Sequence, residues 1–181
     1  MKTRNKLIAT VIAGLFSSAA FAAVDGTMGA TSSGQIGIDL EILDSAEITA
    51  LNDIDFGQYG GTDTGALNAG DAYCVYRNGG DGYTITPTSS NGKFSLVGVL
   101  GDEIDYTVKL AGAATGAASA SAVAYNTASA TFSGSAARDC GTTDNASVDV
   151  SIPESELRAA STDTYSDTLI LLVSPIKKTP C

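Results

Sequence analysis

The sequence has no histidine and no tryptophan, and it has no apolar run long enough to span a membrane. A membrane-spanning helix needs about 20 apolar residues. Histidine is the residue most often used for acid–base catalysis near neutral pH, and it is a common metal ligand. A Gly-x-Ser-x-Gly nucleophile elbow is also missing. These absences argue against an enzyme.

Two pairs of acidic residues remain as candidates for carboxylate catalysis. Asp53 lies two positions before Asp55, and Asp102 directly precedes Glu103. Pairs of this kind at strand ends and turns are far more often solvated surface groups. We therefore predict no catalytic residue, no metal site and no cofactor.

The first 22 residues have the order of a bacterial secretory signal peptide. Three basic residues, Lys2, Arg4 and Lys6, precede an apolar run from Leu7 to Phe16, which is followed by a small-residue cleavage site. We expect cleavage after this site. The mature protein is then expected to be soluble, to pass through the periplasm and to end at the cell surface.

The chain is acidic, with 10 Lys and Arg residues against 20 Asp and Glu residues and a formal charge of −10. The expected signal peptide carries three of the basic residues and none of the acidic ones, so the mature charge is −13. Such a charge repels nucleic acid and anionic lipid. We therefore expect no nucleic-acid partner and no membrane insertion after cleavage, and the charge keeps an exported protein soluble.

Short stretches of alternating apolar and polar residues follow residue 22, separated by clusters of Gly, Asn, Asp and Ser. A period of two residues is typical of β-strands with one buried face, and a series of such strands indicates an all-β sandwich or barrel. The clearest stretch is Gly34–Ile42, whose aliphatic residues Ile36, Ile38, Leu40 and Ile42 share one face. Further strands are predicted at Glu47–Phe56, Ala72–Arg77, Gly82–Thr88, Lys93–Leu100, Glu103–Leu110 and Ser147–Ile152.

The remaining segments have less regular patterns. A turn-rich region is predicted at 60–70, and the strands between residues 72 and 110 are predicted to form an antiparallel meander. Segment 124–132 is either an edge strand or a loop. A short helical turn is predicted at Pro153–Leu157. The run Asp167–Val173 is apolar on both faces at its centre, which is typical of a strand in the middle of a sandwich.

The three cysteines are too far apart in sequence for a Cys-x-x-Cys metal or redox motif. An oxidising compartment favours at least one disulfide. We predict a bond between Cys74, inside a predicted strand, and Cys140, ahead of another strand. In the chain-entropy model such a bond contributes about 4 kcal/mol. Cys181 ends a polar tail, where it is either a free or variably paired thiol or a link to another molecule.

Three features together resemble the spore coat protein U family, which includes archaic chaperone–usher pilins. They are the export signal, the early strand Gly34–Ile42 and the closing strand Tyr165–Val173. The middle of the chain matches only in pattern. The resemblance implies an immunoglobulin-like antiparallel β-sandwich that is incomplete because it lacks its last strand. The implied organisation is a signal peptide at 1–22, an N-terminal extension at 23–43 and a sandwich domain at 44–181.

The same resemblance implies a role in fimbria assembly. In that family a periplasmic chaperone first fills the open groove of a subunit, and the N-terminal strand of the next subunit later replaces it at an outer-membrane usher. The expected function is that of a structural subunit of a bacterial pilus that supports adhesion or biofilm formation, with copies of itself or related pilins as partners. Carried over to this chain, the resemblance assigns the donor side chains to Ile36, Ile38, Leu40 and Ile42, and the groove-bordering side chains to Leu169, Leu171 and Val173.

Two other interpretations remain open from the residues. In the first, Gly34–Ile42 is the ordinary first strand of a self-contained sandwich. In the second, the protein is a monomeric secreted or periplasmic β-sandwich that binds a carbohydrate or a surface ligand. Its glycine-rich loops would then supply aromatic contacts from Tyr59, Tyr73, Tyr76 and Tyr83.

Overall fold

A computed structural model gives the structure of the chain over residues 23–80, 82–114 and 120–176. The predicted signal peptide and Cys181 lie outside these ranges. Within them, no helix is long and apolar enough to cross a lipid bilayer.

The chain divides into two compact units, Met1–Ile42 and Leu43–Cys181. In its described residues the second unit contains eleven strands and one short helix, α1 (Glu154–Ala159). All of the strand ladders are antiparallel, which confirms the predicted all-β fold. In chain order the strands are β1 (Ala46–Thr49), β2 (Leu67–Arg77), β3 (Gly82–Ser89), β4 (Ser95–Gly98), β5 (Glu103–Asp105), β6 (Thr107–Ala111), β7 (Ser121–Val123), β8 (Phe132–Ser133), β9 (Ala146–Ile152), β10 (Tyr165–Ser166) and β11 (Leu169–Pro175).

The strands form one large sheet and two small ones. The large sheet has the order β1-β2-β9-β6-β7, and the small sheets have the orders β10-β4-β5 and β11-β3-β8. Buried side chains of the large sheet, among them Tyr73, Val108 and Val150, form one hydrophobic core with Tyr83 and Ile85 of a small sheet. Burial of these apolar surfaces holds the layers of the sandwich together.

The connection between β2 and β3 joins two different sheets, so the predicted antiparallel meander is wrong. Strand β2 pairs with β1 and β9, whereas β3 pairs with β8 and β11. A tight turn at Asn78–Gly80, with Gly79 at a φ of 82°, links the two layers. Glycine adopts this left-handed conformation without the steric cost of a Cβ atom. As a result, Tyr73 on β2 and Tyr83 on β3 are both fully buried.

Several strand boundaries differ from the prediction. The strand predicted at Glu47–Phe56 ends at Thr49, because Ala50 has a φ of 64° and turns the chain out of the ladder. The single strand predicted at Glu103–Leu110 is also wrong, since β5 belongs to a small sheet and β6 to the large one. Strand β2 begins at Leu67, inside the region that was expected to be turn-rich.

The alternating pattern located β3 and β9 correctly. Strand β3 buries every second residue along its length, and β9 occupies the centre of the large sheet. The segment 124–131 is not a strand, although β7 precedes it and β8 begins at Phe132. The helical turn predicted at Pro153–Leu157 is confirmed as α1, which continues to Ala159.

A disulfide joins Cys74 of β2 to Cys140, with 5.8 Å between the two Cα atoms. This bond confirms the predicted pair. Cys74 is buried, and Cys140 has a left-handed φ of 52°. The bond ties the loop before β9 to the large sheet across a sequence separation of 66 residues.

The first unit is irregular over its described residues, 23–42. A single antiparallel bridge joins Val24 to Gln35 through backbone hydrogen bonds of 3.0 and 2.9 Å. The strand predicted at Gly34–Ile42 is therefore not formed among the described residues of the single chain. Alternation specifies which side chains share a face, but a strand also needs a partner that satisfies its backbone groups.

Candidate functional cleft

Strand β11 has a pairing partner on only one side among the described residues. It pairs with β3 over its whole length, Leu169–Pro175. The prediction that this strand lies in the middle of a sandwich is therefore wrong. Its apolar residues suggested two covered faces, but Ile170 and Leu172 are 50% and 59% exposed. An edge strand with unpaired backbone groups is a place where a further strand can add.

The three residues predicted to border a groove lie on the other face of β11. Leu169, Leu171 and Val173 are half-buried and pack against the core. Leu169 and Leu171 line a cleft of about 1110 Å³ that opens beside the strand. Val173 packs against the core but is not part of the cleft lining.

The floor of the cleft is apolar and comes from both layers of the sandwich. Val148, Val150 and Ile152 of β9 face it from the large sheet, and Leu96 and Ile104 face it from a small sheet. All five side chains also belong to the hydrophobic core or pack against it. The cleft is therefore an opening into the core itself.

Residues 51–59 form another wall of the cleft and have no regular secondary structure. Ile54 and Phe56 are half-buried against the core, whereas the residues between and beside them are exposed. The backbone amides of residues 53–56 have no hydrogen-bond partner in the part of the chain that the structure describes. This wall alternates like a strand but, like the free edge of β11, leaves backbone groups unpaired.

Five aspartates line the cleft, and none of the described Lys or Arg residues does. None of the five takes part in an ion pair among the described residues. Among the described residues, the cleft therefore combines an apolar floor with negative charge that no Lys or Arg side chain offsets. These five residues, called the acidic rim below, are Asp53, Asp55, Asp71, Asp163 and Asp167.

Neutral donors keep two of the rim aspartates ionised. The backbone N–H groups of Leu100 and Thr164 donate to Asp163 and lower its pKa. Partial burial raises the pKa of Asp167, but side-chain hydroxyls and the backbone N–H of Thr168 outweigh this effect, and the pKa lies below its ordinary value. Both carboxylates are therefore charged at neutral pH.

Asp167 also links several elements beside the cleft. The hydroxyl of Tyr106 donates to it at 2.5 Å, and the hydroxyls of Ser89 and Ser90 donate at 2.6 and 2.9 Å. These bonds connect the start of β11 to the end of β3 and to the junction between β5 and β6. This network was not predicted from the sequence. Alternation places Tyr106 on an inward face, but its acceptor lies 61 residues further along the chain.

The four predicted donor side chains lie in the first unit and are strongly exposed. Ile36, Ile38, Leu40 and Ile42 expose 81, 91, 85 and 76% of their surface, respectively. Burial of these four large aliphatic side chains would release free energy, and their exposure means that this stabilisation is not gained. The segment thus has one apolar face that the single chain does not cover.

No family model matches the chain, and no curated protein matches it. The functional interpretation therefore depends on the open cleft of the second unit and on the exposed aliphatic segment of the first.

Two of the four tyrosines considered for a ligand-binding surface are inaccessible to a ligand. Tyr73 and Tyr83 are fully buried, and this burial raises the pKa of Tyr83 to about 12. Tyr59 lines the cleft, and Tyr76 is half-buried on β2. The alternative of a surface site that uses all four tyrosines is not supported, because the alternation of β2 and β3 directs Tyr73 and Tyr83 into the core.

Proposed function

We propose that this protein is a structural subunit of a bacterial surface fimbria that is assembled by donor-strand exchange. Its body is an immunoglobulin-like sandwich that lacks its last strand, and its cleft receives the Gly34–Ile42 segment of another copy. The observation that carries the proposal is the open edge of β11 beside a cleft that leads into the core. The exported subunit passes from a periplasmic chaperone to an outer-membrane usher, and the fimbria supports adhesion or biofilm formation.

The dimensions of the two surfaces support this pairing. Six residue steps separate Ile36 from Ile42, which corresponds to about 20 Å of extended chain. Strand β11 also covers six steps, from Leu169 to Pro175, and therefore offers an edge of similar length. A segment with aliphatic side chains at alternate positions directs all of them to one side. That side matches the single apolar floor of the cleft.

The free energy of strand insertion is large enough for a durable joint. Burial of four aliphatic side chains contributes about 6 to 12 kcal/mol before the cost of ordering the segment is subtracted. The inserted backbone also pairs with the free edge of β11, which an isolated subunit leaves unsatisfied.

The presence of two different contact surfaces on each copy supports assembly into a filament. Each copy carries one donor segment and one cleft, and these are different surfaces, so contacts between copies are heterologous. Heterologous contacts that do not close into a ring produce open filaments. Two different contact surfaces on each copy are compatible with the head-to-tail growth of a fimbria.

A charged substitution in the donor segment tests the proposal. In Ile38→Asp the carboxylate would enter the apolar cleft of the next subunit, so the exported full-length chain should no longer form polymers. Unboiled detergent gels and analytical ultracentrifugation measure the ladder of polymers. Val99→Asp is the matched control, because Val99 is 84% exposed and lies in the connection between β4 and β5.

Wild type and Val99→Asp should form the same heat-labile ladder, and Ile38→Asp should remain monomeric. Polymerisation of Ile38→Asp at the wild-type level would contradict donor-strand exchange through this segment. A wild-type chain that stays a stable monomer at every concentration, without a chaperone, would instead favour the monomeric binding module.

A further inference from the structure

The acidic rim bears on which strand the cleft accepts. We infer that the cleft selects its occupant by charge: a strand with alternate aliphatic residues and Lys or Arg between them binds more tightly than this chain's own Gly34–Ile42 segment. The inference rests on the proposed function, because it takes the cleft as a strand-binding site. It adds the charge of the preferred partner, which is a cationic strand of a different protein.

The charge of the rim is not cancelled by its hydrogen bonds. The backbone N–H and the side-chain amide of Asn52 donate to Asp71 at 2.8 and 3.1 Å. The backbone N–H of Gly57 donates to Asp55 at 2.8 Å. Neutral donors orient and stabilise a carboxylate but leave its net charge in place. An occupant of the cleft therefore enters a region of negative potential.

The chain's own donor segment has the same sign of charge as the rim. Asp39 and Glu41 lie between its aliphatic residues, and residues 23–42 contain no Lys or Arg. When the aliphatic side chains face the cleft, Asp39 and Glu41 point to the outer face. Neighbouring strands lie about 5 Å apart, so these carboxylates come close to the exposed Asp53 and Asp55 of the wall. Like charges in neighbouring strands weaken their pairing.

This repulsion makes occupancy of the cleft depend on salt. The charges on the rim and on the outer face of the occupant are exposed or half-buried, so dissolved ions screen them. The apolar contacts do not depend on screening in this way. A cationic strand therefore has its greatest advantage at low ionic strength, and the chain's own segment becomes competitive as salt rises.

Peptide binding to the full chain measures this selection. The acceptor is the Ile38→Asp chain, whose own segment is disabled while residues 43–181 are unchanged. Three fluorescent peptides are compared by anisotropy: the Gly34–Ile42 sequence, its Asp39→Asn, Glu41→Gln form and its Asp39→Lys, Glu41→Lys form. Titrations at about 0.01 M and about 1 M salt change the Debye length from about 30 Å to about 3 Å.

At low salt the lysine peptide should bind at least about tenfold more tightly than the native peptide, with the neutral peptide between them. At high salt the lysine peptide should bind only about twofold more tightly than the native peptide. Equal affinities at low salt, or a ratio that salt does not change, would overturn the charge selection while leaving strand binding intact. If none of the peptides binds at either salt concentration, the proposed function itself fails.

Rim variants locate the effect. Asp53→Asn with Asp55→Asn removes two exposed rim charges, so the low-salt ratio between the lysine and native peptides should fall by at least about threefold. Asp139→Asn with Asp144→Asn removes the same number of charges from the loop before β9, outside the cleft lining. This control variant should keep the low-salt ratio between the lysine and native peptides that the acceptor shows without rim substitutions. An equal fall in both double variants would mean that overall charge, and not the rim, discriminates between strands.

Discussion

The buried guanidinium of Arg77 is paired with the carboxylate of Asp44, with 3.1 Å between Nη2 and Oδ1. The side chain of Arg77 is 1% exposed and that of Asp44 is 41% exposed, so a buried charge has its counter-ion near the surface. Nη1 of Arg77 also donates to the carbonyl oxygen of Gly82 at 2.9 Å. The pair fixes Asp44 on the body of the sandwich, at the start of the second unit.

Asn78 holds the residues on both sides of Asp44. Its side-chain nitrogen donates to the carbonyl oxygen of Leu43 at 2.6 Å, and its side-chain oxygen accepts from the backbone N–H of Ser45 at 3.0 Å. Strand β1 has only four residues, so these contacts secure its start to the end of β2.

We predict that Asp44→Ala lowers the free energy of unfolding by about 2 kcal/mol. The variant leaves the buried charge of Arg77 without its carboxylate partner, and the partial exposure of Asp44 keeps the loss below that of a fully buried pair. Urea unfolding followed by circular dichroism measures the change.

Glu47→Gln is the matched control for this substitution. Glu47 lies on β1 and pairs with Arg138 at 2.5 Å, but both side chains are substantially exposed. Loss of an exposed pair should cost much less than loss of the pair between Arg77 and Asp44. If Asp44→Ala and Glu47→Gln have the same small effect, the Arg77 pair does not anchor the start of β1.

We predict that loss of the disulfide lowers the free energy of unfolding by about 4 kcal/mol in the chain-entropy model, because it releases a loop with a sequence separation of 66 residues. The variant is Cys74→Ala with Cys140→Ala, and thermal and urea unfolding measure the loss. Cys181→Ala removes the third cysteine and keeps the bond between Cys74 and Cys140. Equal destabilisation by the single and the double variant would argue against the structural role of this bond.

We predict that the two faces of β11 respond differently to truncation. Leu171→Ala removes apolar lining from the cleft and should weaken binding of a Gly34–Ile42 peptide by about tenfold, which corresponds to about 1.4 kcal/mol. Leu172→Ala alters the neighbouring, 59% exposed position and should change the affinity by less than about twofold. Fluorescence anisotropy provides both affinities. A larger loss in Leu172→Ala would place the binding surface on the other face.

We predict that Asp167 makes stability depend on acid pH. Because the pKa of Asp167 in the folded protein is below its unfolded value, the unfolded chain takes up the proton first as pH falls. The stabilisation is thus present above the unfolded pKa, near 4, and is lost as pH falls through the folded value. Asp167→Asn should lower the melting temperature at pH 7. The difference in melting temperature between this variant and wild type should become smaller at low pH.

Exposed Asp102 provides the control for this pH dependence. Asp102→Asn should leave the melting temperature at neutral pH close to that of wild type, since its side chain has no hydrogen bond among the described residues. Melting curves at several values between pH 7 and pH 3 make the comparison. If the difference in melting temperature between wild type and Asp167→Asn stays constant over this range, protonation of Asp167 does not cause the loss of stability in acid.

Part of the cleft could be predicted from the sequence. The resemblance to a pilin strand placed Leu169 and Leu171 at a groove, and both line the cleft. The wall at 51–59 was missed because Ile54 and Phe56 alternate as in a paired strand. Nothing in that local pattern indicates that Ala50 turns the chain away from its partner. The acidic rim was also missed, since its five aspartates are spread from Asp53 to Asp167 in sequence.

The amino-acid sequence by itself determined the all-β class, the inward faces of β3 and β9, and the pairing of Cys74 with Cys140. The first two features follow from local geometry, because successive side chains of an extended chain point to opposite sides whatever its partners are. The cysteine pair was predicted because Cys74 and Cys140 lie in or beside predicted strands, whereas Cys181 ends a polar tail. Only the tertiary structure decided that β5 and β6 join different sheets and that β11 is an edge. Those outcomes depend on backbone hydrogen bonds between segments far apart in the chain, and a period of two residues carries no information about the partner.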